Sequence, residues 1–348
     1  MFTTPRWIIR FAFLLTLPLA SCGREDISKT SFSFGTVCNI RVYERLNAAA
    51  LDAVFERLAQ IERLFSPNIP ESDISKVNSN AGIAPVPVSN ETAFVLKAAL
   101  RTAELSGGAF DPSIGPLVKL WGIGTDNERI PLDDEIAAAL ALVDWRRVHI
   151  DQSPADGSAV ASESVFLETA GMALDLGAIV KGYAADEAAR MLRDAGVQRA
   201  IIDFGGNIAA LGQKRHGGLS PREEPWRIGI QNPSERRGVY AAVIPCADAT
   251  LVTSGIYERF FESDDKRYHH ILSTKTGYPA DNELASVTII MPLAGHGAAA
   301  GALYASMTAD ALSTTVFALG REEGERFLKA NYPDADSVFI LKTGEIIR

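Results

Sequence analysis

The chain has 348 residues, of which 47% are hydrophobic and 22% charged. Those proportions belong to a globular protein and exclude both an intrinsically disordered chain and a multi-span membrane protein. With 34 Lys and Arg against 43 Asp and Glu, the net charge of −9 argues against a nucleic-acid surface, which needs clustered cations.

Arg6 precedes an apolar stretch from Trp7 to Ala20 that Arg10 interrupts and that ends in small residues, the pattern of a secretory signal over residues 1–21. The stretch is too short and too interrupted for a bilayer span, which takes about 20 apolar residues. Leu19-Ala20-Ser21-Cys22 resembles the bacterial lipobox. That resemblance implies lipidation at Cys22, a lipid-anchored linker over residues 22–30 and a single domain over residues 31–348 facing the periplasm. Beyond Cys22 only Cys38 and Cys246 remain. They can pair in an oxidising compartment or lie buried as small hydrophobes.

A polar linker is expected from Gly23 to about Thr30. Residues 38–43 read as a strand with Ile40 and Val42 on one face. Asn47 can cap a helix carrying Leu51, Val54, Phe55, Leu58, Ile61 and Phe65 at helical spacing. A polar loop over residues 66–86 follows, and Ser89 then opens a helix that stops at Gly107-Gly108. Residues 122–163 read as loop-rich with a helical patch at 134–142. A helix is predicted over 181–195, a buried strand over 199–204, and further strands around Trp226 to Ile230, at 239–244 and at 287–291. Helices are expected from near Thr308 to Leu319 and over 322–330, then a closing hairpin that turns at Thr343-Gly344. Strands and helices mix without a regular βαβ alternation, which favours the α+β class.

Four segments combine Gly, acid, base and hydroxyl residues at element ends. In the first, running from Gly107 to Gly124, the glycines allow close backbone approach and Phe110 and Trp121 offer aromatic faces, though a cap with core aromatics gives the same pattern. In the second, Leu174 to Tyr183 runs into a helix N-terminus suited to phosphate. There Asp175 can accept from a ligand or cap the helix, and Lys181 can meet a phosphate or stay solvated. In the third, Thr253-Ser-Gly-Ile-Tyr-Glu-Arg259 is followed by Tyr268-His269-His270 and a hydroxyl-rich turn at Thr276-Gly277. Neighbours on a strand face opposite ways, so only one histidine can enter a given site. In the fourth, Asp310 and Thr314 stand four apart on a helix and offer hard oxygen ligands of the kind Mg²⁺ prefers, unless Asp310 caps the first turn and Thr314 bonds back to its carbonyl.

Taken together, the blocks Ser72-Asp-Ile-Ser-Lys-Val-Asn78, Phe110-Asp-Pro112, Asp175-Leu-Gly-Ala-Ile-Val-Lys-Gly182, Gly205-Gly206, Thr253-Ser-Gly255, His270-Ile-Leu272, Thr276-Gly-Tyr-Pro279 and Asp310-Ala-Leu-Ser-Thr314 resemble the ApbE family of FAD:protein FMN transferases. The resemblance runs from Phe34-Gly-Thr36 to Thr314. It implies a single mixed catalytic domain of α+β, T-fold-like architecture, and an enzyme that moves FMN from FAD onto a Thr or Ser hydroxyl of a flavoprotein, releasing AMP. It further implies Mg²⁺ held by the Ala178 carbonyl, Asp310 and Thr314. FAD contacts would come from Phe34, Ala109, Phe110, Asp111, Asp175, Lys181 and Ile271, with His270 as the base. The implied partners are FAD and the flavin-accepting subunits of membrane electron-transfer complexes. An Mg²⁺-dependent FAD pyrophosphatase and a non-catalytic flavin-binding lipoprotein are the alternatives. Two positions depart from the family pattern: Asn68 stands where many members carry an aromatic, and Ser273 replaces the common Asp before the Thr-Gly turn.

Overall fold

The computed structural model describes residues 26–153, 162–216, 222–293 and 304–348. The predicted signal and the lipidation site Cys22 lie outside the described residues. In chain order the first elements are β1 (Ile27–Ser33), β2 (Thr36–Val42), α1 (Ala48–Phe65), α2 (Asp73–Ser79), β3 (Val86–Val88) and α3 (Asn90–Leu105). Then come α4 (Gly115–Trp121), α5 (Asp133–Leu140), β4 (Val148–Ser153), β5 (Ser162–Leu167) and α6 (Val180–Asp194). The middle of the chain adds β6 (Ala200–Phe204), β7 (Asn207–Leu211), β8 (Lys214–His216), β9 (Arg222–Glu224), β10 (Trp226–Gln231), β11 (Tyr240–Cys246) and β12 (Ala249–Gly255). The remainder is β13 (Phe260–Ser263), β14 (Lys266–His269), β15 (Leu284–Pro292), α7 (Ala305–Leu319), α8 (Arg321–Asn331), β16 (Asp336–Leu341) and β17 (Ile346–Ile347).

Eight strands form the central sheet in the order β1-β2-β6-β7-β12-β15-β16-β17, antiparallel throughout. Alternation along the strands separates two apolar faces. On β12, Val252 joins Leu312, Val316 and Phe317 on the helical side. Its neighbour Leu251 turns to the opposite face, where Trp226, Ile230 and Ile244 of the β10–β11 hairpin cover it. Helices α1, α3 and α6 pack over the β2–β6–β7 half, and α7 and α8 over the β12–β15–β16 half. Helix α1 buries the apolar stripe expected of it, and the Asn47 side chain accepts from the Ala49 N–H. At roughly 1.5–3 kcal/mol per fully buried large side chain, that stripe outweighs the helix's own marginal propensity.

Three expectations differ from what is observed. Residues 27–30, read as linker, begin β1, an edge strand whose inward face is only half covered and therefore shows little apolar alternation. The loop read over 66–86 contains α2, where Ser72 Oγ accepts from the Ser75 N–H at 2.9 Å and only Ile74 and Val77 supply buried apolar bulk. The loop-rich stretch 122–163 holds β4 as well as the expected helix α5. Cys38 and Cys246 are both free and buried, and burial pushes their thiols up to about 12 and about 11.

Candidate active site

Helices α6 and α7 cross antiparallel at their first two turns, and each caps the other. Asp186 of α6 accepts from the N–H groups of Ser306 and Met307 at 3.1 and 2.8 Å, where α7 begins. Asp310 of α7 accepts from the N–H of Gly182 at 2.9 Å, where α6 begins. The crossing is close because residue 182 has no side chain: a Cβ there would stand 2.1 Å from the Ser306 carbonyl oxygen. Asp310 therefore does not cap its own helix.

This exchange frees a carbonyl. The Gly182 N–H is the donor that would ordinarily close the first turn of α6 on the Ala178 carbonyl. It is used by Asp310, and among the described residues the Ala178 oxygen accepts no hydrogen bond. The Thr314 hydroxyl is likewise not tied to the backbone of its own helix. Ser313, not Thr314, bonds back to the Asp310 carbonyl, at 2.9 Å, while the Thr314 hydroxyl lies 3.4 Å from Ser254 Oγ on β12. Asp310 is 3% exposed, with Lys181 Nζ at 3.4 Å from its carboxylate. One carboxylate, one carbonyl and one hydroxyl make a hard oxygen set. It fits Mg²⁺, which commonly takes one or two carboxylates and completes its shell with water and substrate phosphates.

The histidine pair diverges as alternation requires. His269 is buried edge-on against Phe317, and its Nε2 bonds the Ala280 carbonyl at 3.0 Å. His270 turns to the cleft. The Arg259 carbonyl lies 3.1 Å from its backbone N and 3.2 Å from its Nδ1. A carbonyl only accepts, so Nδ1 carries the proton and Nε2 is left as the acceptor. Burial and then the Arg259 charge push the imidazole down to about 3, which keeps it unprotonated at neutral pH. The loop after it is fastened to α4 and its surroundings: Thr274 Oγ1 donates to the Gly108 carbonyl at 2.7 Å and Trp121 Nε1 to the Gly277 carbonyl at 2.8 Å. Ser273 Oγ accepts from the N–H groups of Lys275 and Thr276, doing for the turn what an Asp would do.

A cleft of about 600 Å³ brings these groups together with Phe34, Ala109, Phe110, Asp111, Asp175, Lys181 and Ile271. Phe110 is buried on its wall. The Asp111 carboxylate is engaged by protein donors, accepting from Ser113 at 2.8 and 2.7 Å and from the Trp145 N–H at 3.0 Å. Burial nevertheless raises its pKa. Asp175 accepts from the Gly177 N–H at 2.8 Å, shaping the turn that leads into α6. Asn68 also lines the cleft.

Four residues of the cleft receive no role in the motif reading. Ser254 lies beside Thr314, Glu62 holds the Phe34 N–H at 2.7 Å, and Glu258 and Arg259 line the cleft beside His270. Burial raises the Glu258 carboxyl, although Arg237, Lys181 and Arg259 oppose the shift. Ser254, Glu258 and Arg259 all sit in the Thr253–Arg259 segment singled out above, which was the available signal. Glu62 sits inside an ordinary amphipathic helix and gave none. Among the described residues no group of three or more His, Cys, Asp or Glu could hold a metal ion, and no helix is long and apolar enough to cross a membrane.

The ApbE family model matches residues 34–339. A FAD:protein FMN transferase of Treponema pallidum is 39% identical over 344 residues, 96% of this chain and 91% of that protein. One from Klebsiella pneumoniae is 35% identical over 320 residues, covering 92% and 90%. Among solved structures, the ApbE protein of Thermotoga maritima superposes with a TM-score of 0.77 at 32% identity, covering 93% of this chain and 97% of that one. The flavin transferase ApbE of Vibrio cholerae gives 0.76 at 28% identity, covering 93% and 96%. A match across nearly the whole domain, to a fold that places every carried-over residue on one cleft, shows that this chain belongs to the ApbE family.

Proposed function

We propose that the chain transfers FMN from FAD to a Thr or Ser hydroxyl of a target flavoprotein, forming a phosphoester and releasing AMP. The observation that carries the reading is the convergence of the Ala178 carbonyl, Asp310, Thr314, Lys181 and His270 on one cleft. Mg²⁺ held by Ala178, Asp310 and Thr314 would supply charge neutralisation for the pyrophosphate and a template for its oxygens.

The chain's own groups account for the remainder. Lys181, anchored by the Gly177 carbonyl at 2.9 Å, presents its ammonium to the same anionic region. The start of α6 adds the positive end of the helix dipole. The acceptor oxygen forms a bond to the FMN phosphorus as the bond from that phosphorus to the AMP oxygen breaks. The hydroxyl proton passes to His270 Nε2, the nitrogen that the Arg259 carbonyl leaves unprotonated. AMP departs with the electron pair as a phosphate anion, which needs no proton at neutral pH. The lipobox-like Leu19-Ala20-Ser21-Cys22 supports a lipid anchor on the periplasmic side of the bacterial envelope. Flavin-accepting subunits of membrane electron-transfer complexes are the partners that such a location favours.

The test is mass spectrometry of a candidate acceptor incubated with the enzyme, FAD and Mg²⁺. A gain of one FMN on a Thr or Ser is the expected result. Release of AMP and free FMN with an unmodified acceptor would assign FAD hydrolysis instead.

A further inference from the structure

Arg259 crosses the mouth of the cleft and joins two segments that are far apart in sequence. Its Nη2 donates to the carbonyls of Phe34 and Gly35, both at 3.2 Å. The guanidinium lies so close over the turn that a Cβ on Gly35 would meet Nη2 at 2.9 Å. At its other end, the Arg259 carbonyl is the group that fixes His270 through both backbone N–H and Nδ1. The turn it holds is a strained one: Phe34 is a non-glycine residue at φ 55°, in the left-handed region. Glu62 grips the same turn from the other side by accepting from the Phe34 N–H at 2.7 Å. Among the described residues Arg259 forms no ion pair with an Asp or Glu, so its charge is left to the cleft.

We propose that Arg259 is a positioning residue that sets the Phe34–Gly35 turn for FAD and ties that turn to the histidine. This rests on reading the cleft as the FAD site. An exposed arginine whose side chain bonds only two carbonyls contributes little to folding. Its removal instead releases a strained turn from one of two restraints, and the cost falls on substrate binding. A purely structural role would move the melting temperature without moving KM.

The experiment measures KM for FAD and kcat by AMP release, with full-length parent, Arg259→Ala, Arg259→Lys, Glu62→Gln and the Arg259→Ala/Glu62→Gln pair. Arg259→Ala should raise KM for FAD on the order of tenfold with an unchanged melting temperature, and Arg259→Lys should recover most of the loss. Because both restraints act on one turn, the pair should raise KM by less than the product of the single effects. A parental KM in Arg259→Ala overturns the proposal, as does a Lys variant as impaired as the Ala variant, or a pair whose effects multiply. A parent that does not use FAD at all overturns the FAD reading together with this one, and is distinguished by showing no turnover before any substitution is made.

Discussion

The backbone N–H of Gly182 donates to Asp310 Oδ2 at 2.9 Å, and that one bond decides which oxygens face the cleft. It fixes the carboxylate at the start of α6 and withdraws the donor that would otherwise cover the Ala178 carbonyl. The reciprocal bonds from Ser306 and Met307 to Asp186 lock the same crossing from the other side. Helix capping and the freeing of the Ala178 carbonyl are here a single arrangement.

Asp310→Asn separates those two roles. The amide oxygen can still accept from Gly182, so the melting temperature should stay near that of the parent. Loss of the only carboxylate in the ligand set should remove several kcal/mol of charge stabilisation, a fall on the order of 10²-fold or more in Mg²⁺-dependent turnover. AMP release measured against Mg²⁺ concentration checks this; parental rate and metal dependence would contradict it.

Gly182→Ala tests the crossing. A methyl group aimed at the Ser306 carbonyl must push α6 and α7 apart, at a cost of about 1–3 kcal/mol typical of overpacking. Urea denaturation should show a lower midpoint, and the displaced Asp310 should weaken the response to Mg²⁺. An unchanged midpoint would mean that the helices are not packed as described.

The anchor proposal predicts that Cys22→Ser abolishes fatty-acid labelling and leaves unprocessed precursor. Metabolic labelling with a radioactive fatty acid reads it directly. Equal labelling of variant and parent would remove Cys22 from consideration.

Much of the fold was legible where burial is one-sided and strong. Helix α1, with its stripe from Leu51 to Phe65 behind Asn47, and α3 behind Ser89 appear where spacing and caps place them. Elements with little apolar content were missed: β1 alternates between half-buried and exposed positions up to Phe32 and buries only Ser33, and α2 is short and largely polar. The site was legible as motifs but not as geometry. Asp310 and Thr314 were found by spacing and resemblance, yet periodicity could not show that Asp310 caps a different helix. Nor could it show that Glu62 and Arg259, 197 positions apart, hold opposite sides of the Phe34 turn.

Of the two adjacent histidines, His270 and not His269 is proposed to receive the acceptor proton. The most direct measurement is single-turnover FMN transfer at saturating FAD for His270→Ala and His269→Ala, followed over pH with the parent. His270→Ala should transfer about 10²–10⁴-fold more slowly while still binding FAD, since the lost interaction belongs to the transition state. His269→Ala should transfer normally and lose about 1–3 kcal/mol of stability, because the Ala280 carbonyl loses its donor and Phe317 its edge contact. With His270 held down to about 3, the base stays unprotonated in mild acid, so the parent's kcat/KM should show no histidine limb between about pH 5 and 7. A larger rate loss in His269→Ala than in His270→Ala, or parental transfer by His270→Ala, would remove His270 as the base.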